Sequence, residues 1–303
     1  MSFTLKKFML RQLKKMTFLP SKIYVRFLYE YFTGKKLNLM NPVEFNEKIQ
    51  WYKVFYRKKT LTQLSDKYEV RSFIEEKIGV NYLNELYGVY DNPYDIPFDS
   101  LPEKFVIKAT HASGYNLIVK NKAELNIPRA KNKFKKWLSI NQYYRTGQEW
   151  AYKNITPRLV VEAYIEEEGR SAPSDYKFYC FNGKAKFIKL HIDRLSTHRE
   201  GFYDLNFEPC PFTKVKDLEP PSEQEMLEKP DNLKDMIAIA ETLASDFPFV
   251  RVDLYSVQNR IIFGEMTFYP SDGRKDFYPD KYNKVIGDYF VLPKIPANQK
   301  CIT

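Results

Sequence analysis

The dipeptide Asn182-Gly183, set between YKFYCF and KAKFIKLHI, limits the folds open to this chain more than any other feature. Asn-Gly accepts the positive φ angles that a two-residue hairpin turn demands, and strand-forming runs flank it on both sides. A second hairpin follows, in which FVRVDLYSV and IIFGEMTF are joined around Asn259. A helical segment from about Asn232 to Ala244 lies between the two, so the spacing predicts an α+β fold built on antiparallel sheets.

Earlier in the chain, residues 41–90 read as helical, with Phe45, Ile49, Trp51 and Tyr52 as buried candidates in one segment. Asp66 precedes a second segment that contains Tyr68, Val70, Phe73 and Ile74. The Pro-rich stretch from Asp91 to Pro102 reads as a connection and as the domain boundary of the first half. Beyond it come two β-like runs, FVIKAT and NLIVK, joined by His111-Ala112-Ser113-Gly114-Tyr115. A charged helical segment from about Pro128 to Tyr144 follows, and then the apolar strand RLVVEAYI. There is no internal repeat.

Composition excludes several classes. Cys180, Cys210 and Cys301 are too few and too scattered for a disulfide framework, which suits a reducing, cytoplasmic compartment. With three histidines, a structural zinc site is not expected. No apolar run approaches the roughly 20 residues that span a bilayer, and the Lys-rich N-terminus does not form a secretory signal. The net charge of +10 favours anionic partners without choosing among them. At the N-terminus, Leu5, Phe8, Met9, Leu13 and Met16 recur at helical spacing among Lys6, Lys7, Arg11, Lys14 and Lys15. Such a helix either docks on the body of the protein or touches the inner membrane peripherally.

The chemistry-bearing residues sit on the hairpins. With the second turn centred on Asn259, Asp253 faces Glu265 and Arg251 faces Thr267 on one face of the sheet. Two adjacent carboxylates repel unless a cation lies between them, and Mg²⁺ takes such oxygens together with substrate phosphates. The alternative is a charge pair balanced by Arg251. The same spacing argument on the Asn-Gly hairpin places Asp175, Lys177, Tyr179 and Phe181 on one face with Lys184, Lys186, Ile188 and Leu190. A regular return strand would add Arg194 to that face, and Lys177 with Arg194 could neutralise a polyphosphate. Lys108, ahead of the small-residue turn Ser113-Gly114, could sit in a flap whose amides face phosphates.

Taken together, NPVEFNEKIQWYK, SDKYEVRSFIEEKIG, FVIKATHASGYN, RLVVEAYI, DYKFYCFNGKAKFIKLHIDR and FVRVDLY…GEMTFYPSDG resemble the TupA-like branch of the ATP-grasp fold over roughly residues 41–290. The resemblance implies two α+β modules that sandwich ATP, with an N-terminal helical region at 1–100, a small module at 101–170 and a C-terminal module at 171–303. It implies that Lys108 and Lys177 hold the α- and β-phosphates beneath Ser113 and Gly114. Glu162, Ala163, Tyr164 and Ile165 would read the adenine edge through their backbone. An acid among Glu166–Glu168, centrally Glu167, would take the ribose hydroxyls. Arg194 would face the γ-phosphate, and Asp253 and Glu265 would bind Mg²⁺. Many ATP-grasp enzymes carry Asn where this chain has Thr267, whose hydroxyl can still ligate the metal.

The implied activity is an ATP-dependent carboxylate–amine ligase of bacterial surface-polysaccharide synthesis. It would join a uronic-acid carboxylate on an acidic saccharide to the amine of an amino acid through an acyl phosphate. His111, Tyr115, Arg274 and Lys275, in loops beside these motifs, are candidates for the acceptor pocket. Lys67 and Arg71 belong to a family-like stretch without an assigned role. Two other classes fit the composition: a sugar kinase of the same fold, and a non-catalytic module for anionic polymer. The strand-borne acids argue against a nucleic-acid partner. Asp253→Asn and Glu265→Gln should each lose ATP turnover with the fold intact.

Overall fold

The computed structural model describes residues 8–9, 11–13, 15–192, 199–216 and 228–303. Much of the basic N-terminal segment, including Leu5, Lys6, Lys7 and Lys14, lies outside the described residues, as do Arg194 and His198. No described helix is long and apolar enough to cross a membrane.

Four helices come first: α1 (Ser21–Thr33), α2 (Phe45–Phe55), α3 (Lys59–Ser65) and α4 (Val70–Ile78). Glu44 and Glu47 form a reciprocal capping box that starts α2. The Asp66 carboxylate accepts from the Tyr68 and Glu69 amides and so turns the chain into α4.

The first sheet holds β1 (Leu86–Tyr90), β2 (Phe105–Ala109), β3 (Asn116–Val119) and β4 (Leu159–Ala163), ordered β1-β4-β2-β3 and antiparallel throughout. Two helices, α5 (Ile127–Leu138) and the single-turn α6 (Gln142–Arg145), precede β4. Ala130, Phe134 and Trp137 of α5 are buried against Phe105, Ile107, Leu159 and Val161, which gives this sheet its own core.

The second sheet holds β5 (Asp175–Phe181), β6 (Lys184–Ile192), β7 (Arg199–Tyr203), β8 (Phe249–Val257) and β9 (Arg260–Thr267), ordered β7-β6-β5-β8-β9. It is accompanied by α7 (Leu233–Ala244) and α8 (Lys281–Tyr289). Its core includes the N-terminal helices. The Phe45 ring of α2 lies 5.2 to 6.4 Å from the rings of Tyr179, Phe181, Phe249 and Phe277. Each such buried aromatic is worth about 1.5–3 kcal/mol. The helices that open the chain are thereby fixed to strands that come more than a hundred residues later.

Three details depart from the sequence expectations. Leu86–Tyr90 is a strand and not the end of a helical region, because its backbone pairs with β4, so the first sheet begins before residue 101. The Pro-rich stretch therefore links two strands of one sheet instead of separating two units. On the Asn-Gly hairpin, Phe181 pairs with Lys184 and Cys180 with Ala185, but an extra residue, Lys186, then shifts the register. Lys177 consequently faces Lys189, and Asp175 faces His191, instead of Ile188 and Leu190.

The second hairpin reaches the expected pairing by a different path. Its turn is the two residues Gln258 and Asn259, at φ 50° and 60°. That turn alone would set Asp253 opposite Gly264. Gly264 is instead bulged out, and Asp253 faces Glu265 while Arg251 faces Thr267. A side chain at Gly264 would begin 3.0 Å from the Asp253 carbonyl oxygen, so a larger residue would press on the backbone of β8.

Candidate active site

The two sheets meet across a cleft that contains two neighbouring cavities. The narrower, about 210 Å³, is lined by Lys108, Ser113, Gly114, Glu162 and Ile165 from the first sheet and its loops, and by Lys177, Asp253 and Glu265 from the second. The larger, about 470 Å³, is lined by Arg251, Thr267, Arg274, Lys275, Glu149 and Asp272. Ser113 and Glu265 belong to both, so they mark where the cavities join.

Strand pairing sets the charges in the narrower cavity. On β2, Lys108 reaches Glu162 of β4, with its Nζ 2.7 Å from Oε2, and Arg71 of α4 donates to the other carboxylate oxygen at 3.3 Å. On β5, Lys177 donates to Asp253 and lies 2.6 Å from Asp175 Oδ2. Arg251 grips Asp253 with two hydrogen bonds, at 2.6 and 2.7 Å, and also donates to Glu265 and Thr267 at 3.1 and 3.0 Å. Burial, partly offset by Arg251 and Lys177, raises the Asp253 carboxyl to about 6. Burial would also raise Glu265, but Arg251, Lys177 and Lys67 outweigh it and hold that carboxyl at about 2.

The pair suits Mg²⁺. Among the described residues no three or more His, Cys, Asp or Glu side chains converge as a complete metal cage. Asp253 and Glu265 instead offer the one or two carboxylates that Mg²⁺ takes from a protein when phosphates complete its shell. Arg251 lies against both acids, so the alternative pairing with arginine is present in this structure.

Placement of the remaining candidates is uneven. The backbone of Ala163 is engaged: its amide donates to Glu85 and its carbonyl accepts from Asn84 Nδ2. Tyr164 stacks beneath the Lys120 ammonium, 5.5 Å from the ring centre. Glu167 accepts from Arg170 and from the Ser174 amide, both at 2.7 Å. His111 and Tyr115 line neither cavity. His111 is buried with Nε2 3.0 Å from the Trp137 carbonyl oxygen, and Tyr115 packs edge-on against the Trp137 ring. Both tie the turn between β2 and β3 to α5. Arg274 and Lys275 do line the larger cavity.

The structure also supplies residues that sequence reasoning left without a role. Lys67 and Arg71, one turn apart at the start of α4, both enter the narrower cavity. Lys67 donates to the Ala112 carbonyl at 2.6 Å, which ties it to the flap. Burial lowers its pKa, with Glu265 opposing the shift and Lys108 adding to it. Their spacing after Asp66 was the available signal. Glu149, Asp272 and Lys53 gave none, because they lie far apart in sequence and meet only in three dimensions. Lys53 of α2 is fully buried, and its ammonium donates to Asp272 Oδ1 at 2.5 Å and to the Gly147 carbonyl at 3.1 Å.

Gly147 is needed for this packing, since a Cβ there would collide with both Asp272 carboxylate oxygens. Gly147→Ala is therefore expected to destabilise the protein by about 1–3 kcal/mol. A shifted denaturant midpoint at unchanged slope would show it, and an unshifted midpoint would contradict the contact.

A search of curated proteins gives no match. Among solved structures, D-alanine–D-alanine ligase from Bacillus anthracis is 15% identical at a TM-score of 0.46, covering 81% of this chain and 72% of that one. The Helicobacter pylori D-alanine–D-alanine ligase is 14% identical at 0.43, covering 84% and 68%. An L-amino acid ligase from Bacillus licheniformis is 13% identical at 0.41, covering 69% and 43%. The family model described as TupA-like ATPgrasp matches residues 47–291, which is most of the sequence. The protein belongs to the TupA-like ATP-grasp family.

Proposed function

We propose that the protein is an ADP-forming carboxylate–amine ligase that amidates a uronic acid of a bacterial surface-polysaccharide precursor with an amino acid. One observation carries this reading. Lys108 and Lys177 enter a single cavity from two different sheets, beside Asp253 and Glu265, and that cavity opens on a second one at Ser113 and Glu265. A nucleotide in the first would present its terminal phosphate to an acceptor in the second.

A carboxylate does not react with an amine unaided, because oxide is too poor a leaving group. Phosphorylation supplies both the leaving group and an electrophilic carbon. Lys108, Lys177, Lys67 and Arg71 neutralise the polyphosphate, and Ser113 and Gly114 close over it from the exposed turn. With Ala163 already bonded, the adenine edge falls to the backbone of Tyr164 and Ile165. Asp253 and Glu265, with the Thr267 hydroxyl adjacent, would hold Mg²⁺, which when bound supplies charge neutralisation at the phosphoryl oxygens. Arg274 and Lys275 supply positive charge for an acidic saccharide in the larger cavity.

The test is ATP consumption with Mg²⁺ and hydroxylamine across a panel of uronic-acid sugars. Hydroxamate with matching ADP and phosphate is the expected result. A stable sugar phosphate without hydroxamate would replace the ligase with a kinase.

A further inference from the structure

We infer that the part of the larger cavity lined by Glu149 and Gln142 is the amine subsite, with Glu149 as the base that takes the amine's proton. This rests on the ligase reading and assigns the second substrate its place. The larger cavity is lined by the cations Arg251, Arg274 and Lys275 and by the oxygen acceptors of Glu149, Asp272 and Gln142.

One of those acceptors is buried and unpaired: Gln142 Oε1 has no hydrogen-bond partner, whereas Asp272 Oδ2 is ion-paired with Arg274 Nε at 2.8 Å. Both residues are more than nine-tenths buried, and both line the cavity. A buried acceptor left unpaired is costly, so Gln142 Oε1 calls for a ligand that donates. An ammonium brings donors for Gln142 Oε1 and a proton for the Glu149 carboxylate, both of which line this cavity.

The backbone holds this part of the cavity in place. Gln148, Ser271 and Asp272 all sit at positive φ, at 56°, 52° and 55°. Gln148 is anchored by donating to the Thr17 and Leu19 carbonyls, and the Asp272 carbonyl accepts from Gln50 and Lys53. The charged and titratable groups facing Glu149 are Lys53 from α2, Asp272 and Arg274 from the turn after β9, Tyr152 from the next turn, and Tyr269 at the end of β9. Burial, reinforced by Asp272 and opposed by Lys53 and Arg274, raises the Glu149 carboxyl to about 8. A base in that range is matched to an alkylammonium near neutral pH.

The ammonium gives one proton to Glu149, which passes it to solvent. The freed nitrogen forms the C–N bond while the C–O bond to phosphate breaks, and the electron pair leaves with the phosphate. The second nitrogen proton departs with that phosphate, leaving a neutral amide.

Hydroxylamine tests the assignment because it is uncharged at neutral pH and needs no base to free its lone pair. The assay uses glucuronic and galacturonic acids with either hydroxylamine or a mixture of the common L-amino acids. In Glu149→Gln, amide formation is expected to fall by about a hundredfold or more, and hydroxamate formation by less than about tenfold. In the wild type the amide rate should rise with pH through about 8, as Glu149 ionises, while the hydroxamate rate stays level. Glu149→Asp, which keeps the carboxylate, should recover part of the amide rate. Equal losses of both products in Glu149→Gln, or no recovery in Glu149→Asp, would overturn the base and leave the ligase standing. Absence of hydroxamate from the wild type would overturn the ligase and this role with it.

Discussion

Glu265→Gln is expected to lower Mg²⁺-dependent ATP turnover by about 10²–10³-fold, because in the proposed site it removes a carboxylate that would hold the Mg²⁺. The Glu265 side chain is 38% exposed, so the neutral amide should leave the fold in place. Asp253→Asn should lose as much turnover but behave differently in stability. The Asp253 side chain is 2% exposed and sits between Arg251 and Lys177, so neutralising it leaves two buried cations without their shared partner. Breaking a buried pair in this way costs about 3–5 kcal/mol. The two variants, both expected from sequence to keep the fold, are thus predicted to differ in stability, with Glu265→Gln the milder. ATPase assays beside urea melts of the two variants would check it. Wild-type turnover in Glu265→Gln would remove the metal assignment.

The second large effect is structural. Lys53→Met should destabilise the protein by about 3–5 kcal/mol, since it takes the ammonium away from the buried Asp272 carboxylate. The Lys53 side chain has no exposed surface and that of Asp272 is 5% exposed, so the carboxylate is left to Arg274 with little solvent to replace the lost ammonium. Pairing the change with Asp272→Leu should return most of the loss, because an apolar pair of similar volume carries no desolvation penalty. Denaturant unfolding of the single and double variants measures this directly. A loss below about 1 kcal/mol in the single variant would mean that the ion pair does not hold the turn.

What the sequence disclosed followed from how far each signal reaches. Turn chemistry is local, so Asn182-Gly183 and the apolar runs around Asn259 specified both hairpins of the second sheet. Bulges are not local, and the two hairpins show both outcomes. Lys186 reverses the facing of β6 relative to Lys177, whereas Gly264 compensates for a shorter turn and leaves Asp253 opposite Glu265. Strand β1 was missed because Leu-Tyr-Gly-Val-Tyr is half-buried throughout and shows no alternation. Its aromatic and β-branched content, bounded by Asn84 and by Asp91-Asn92-Pro93, was the only local cue. The cluster of Lys53, Glu149 and Asp272 had no cue at all, because its members come from a helix, a loop and a turn separated by about a hundred residues each.

The bulge at Gly264 has one more consequence, which concerns how the hairpin can be edited. It divides β9 into two stretches whose side-chain alternation is set independently. Toward the tip, Ile261, Ile262 and Phe263 take their facing from the two-residue turn and serve packing. Toward the cleft, Glu265 and Thr267 take theirs from the bulge and serve charge. Changes at Gln258-Asn259 are thus insulated from the acids, and a small reporter could be carried there. Straightening the bulge, so that Gly264 itself paired with Asp253, would instead move Glu265 opposite Val252 on the other face, leaving a well-paired hairpin that has lost its chemistry.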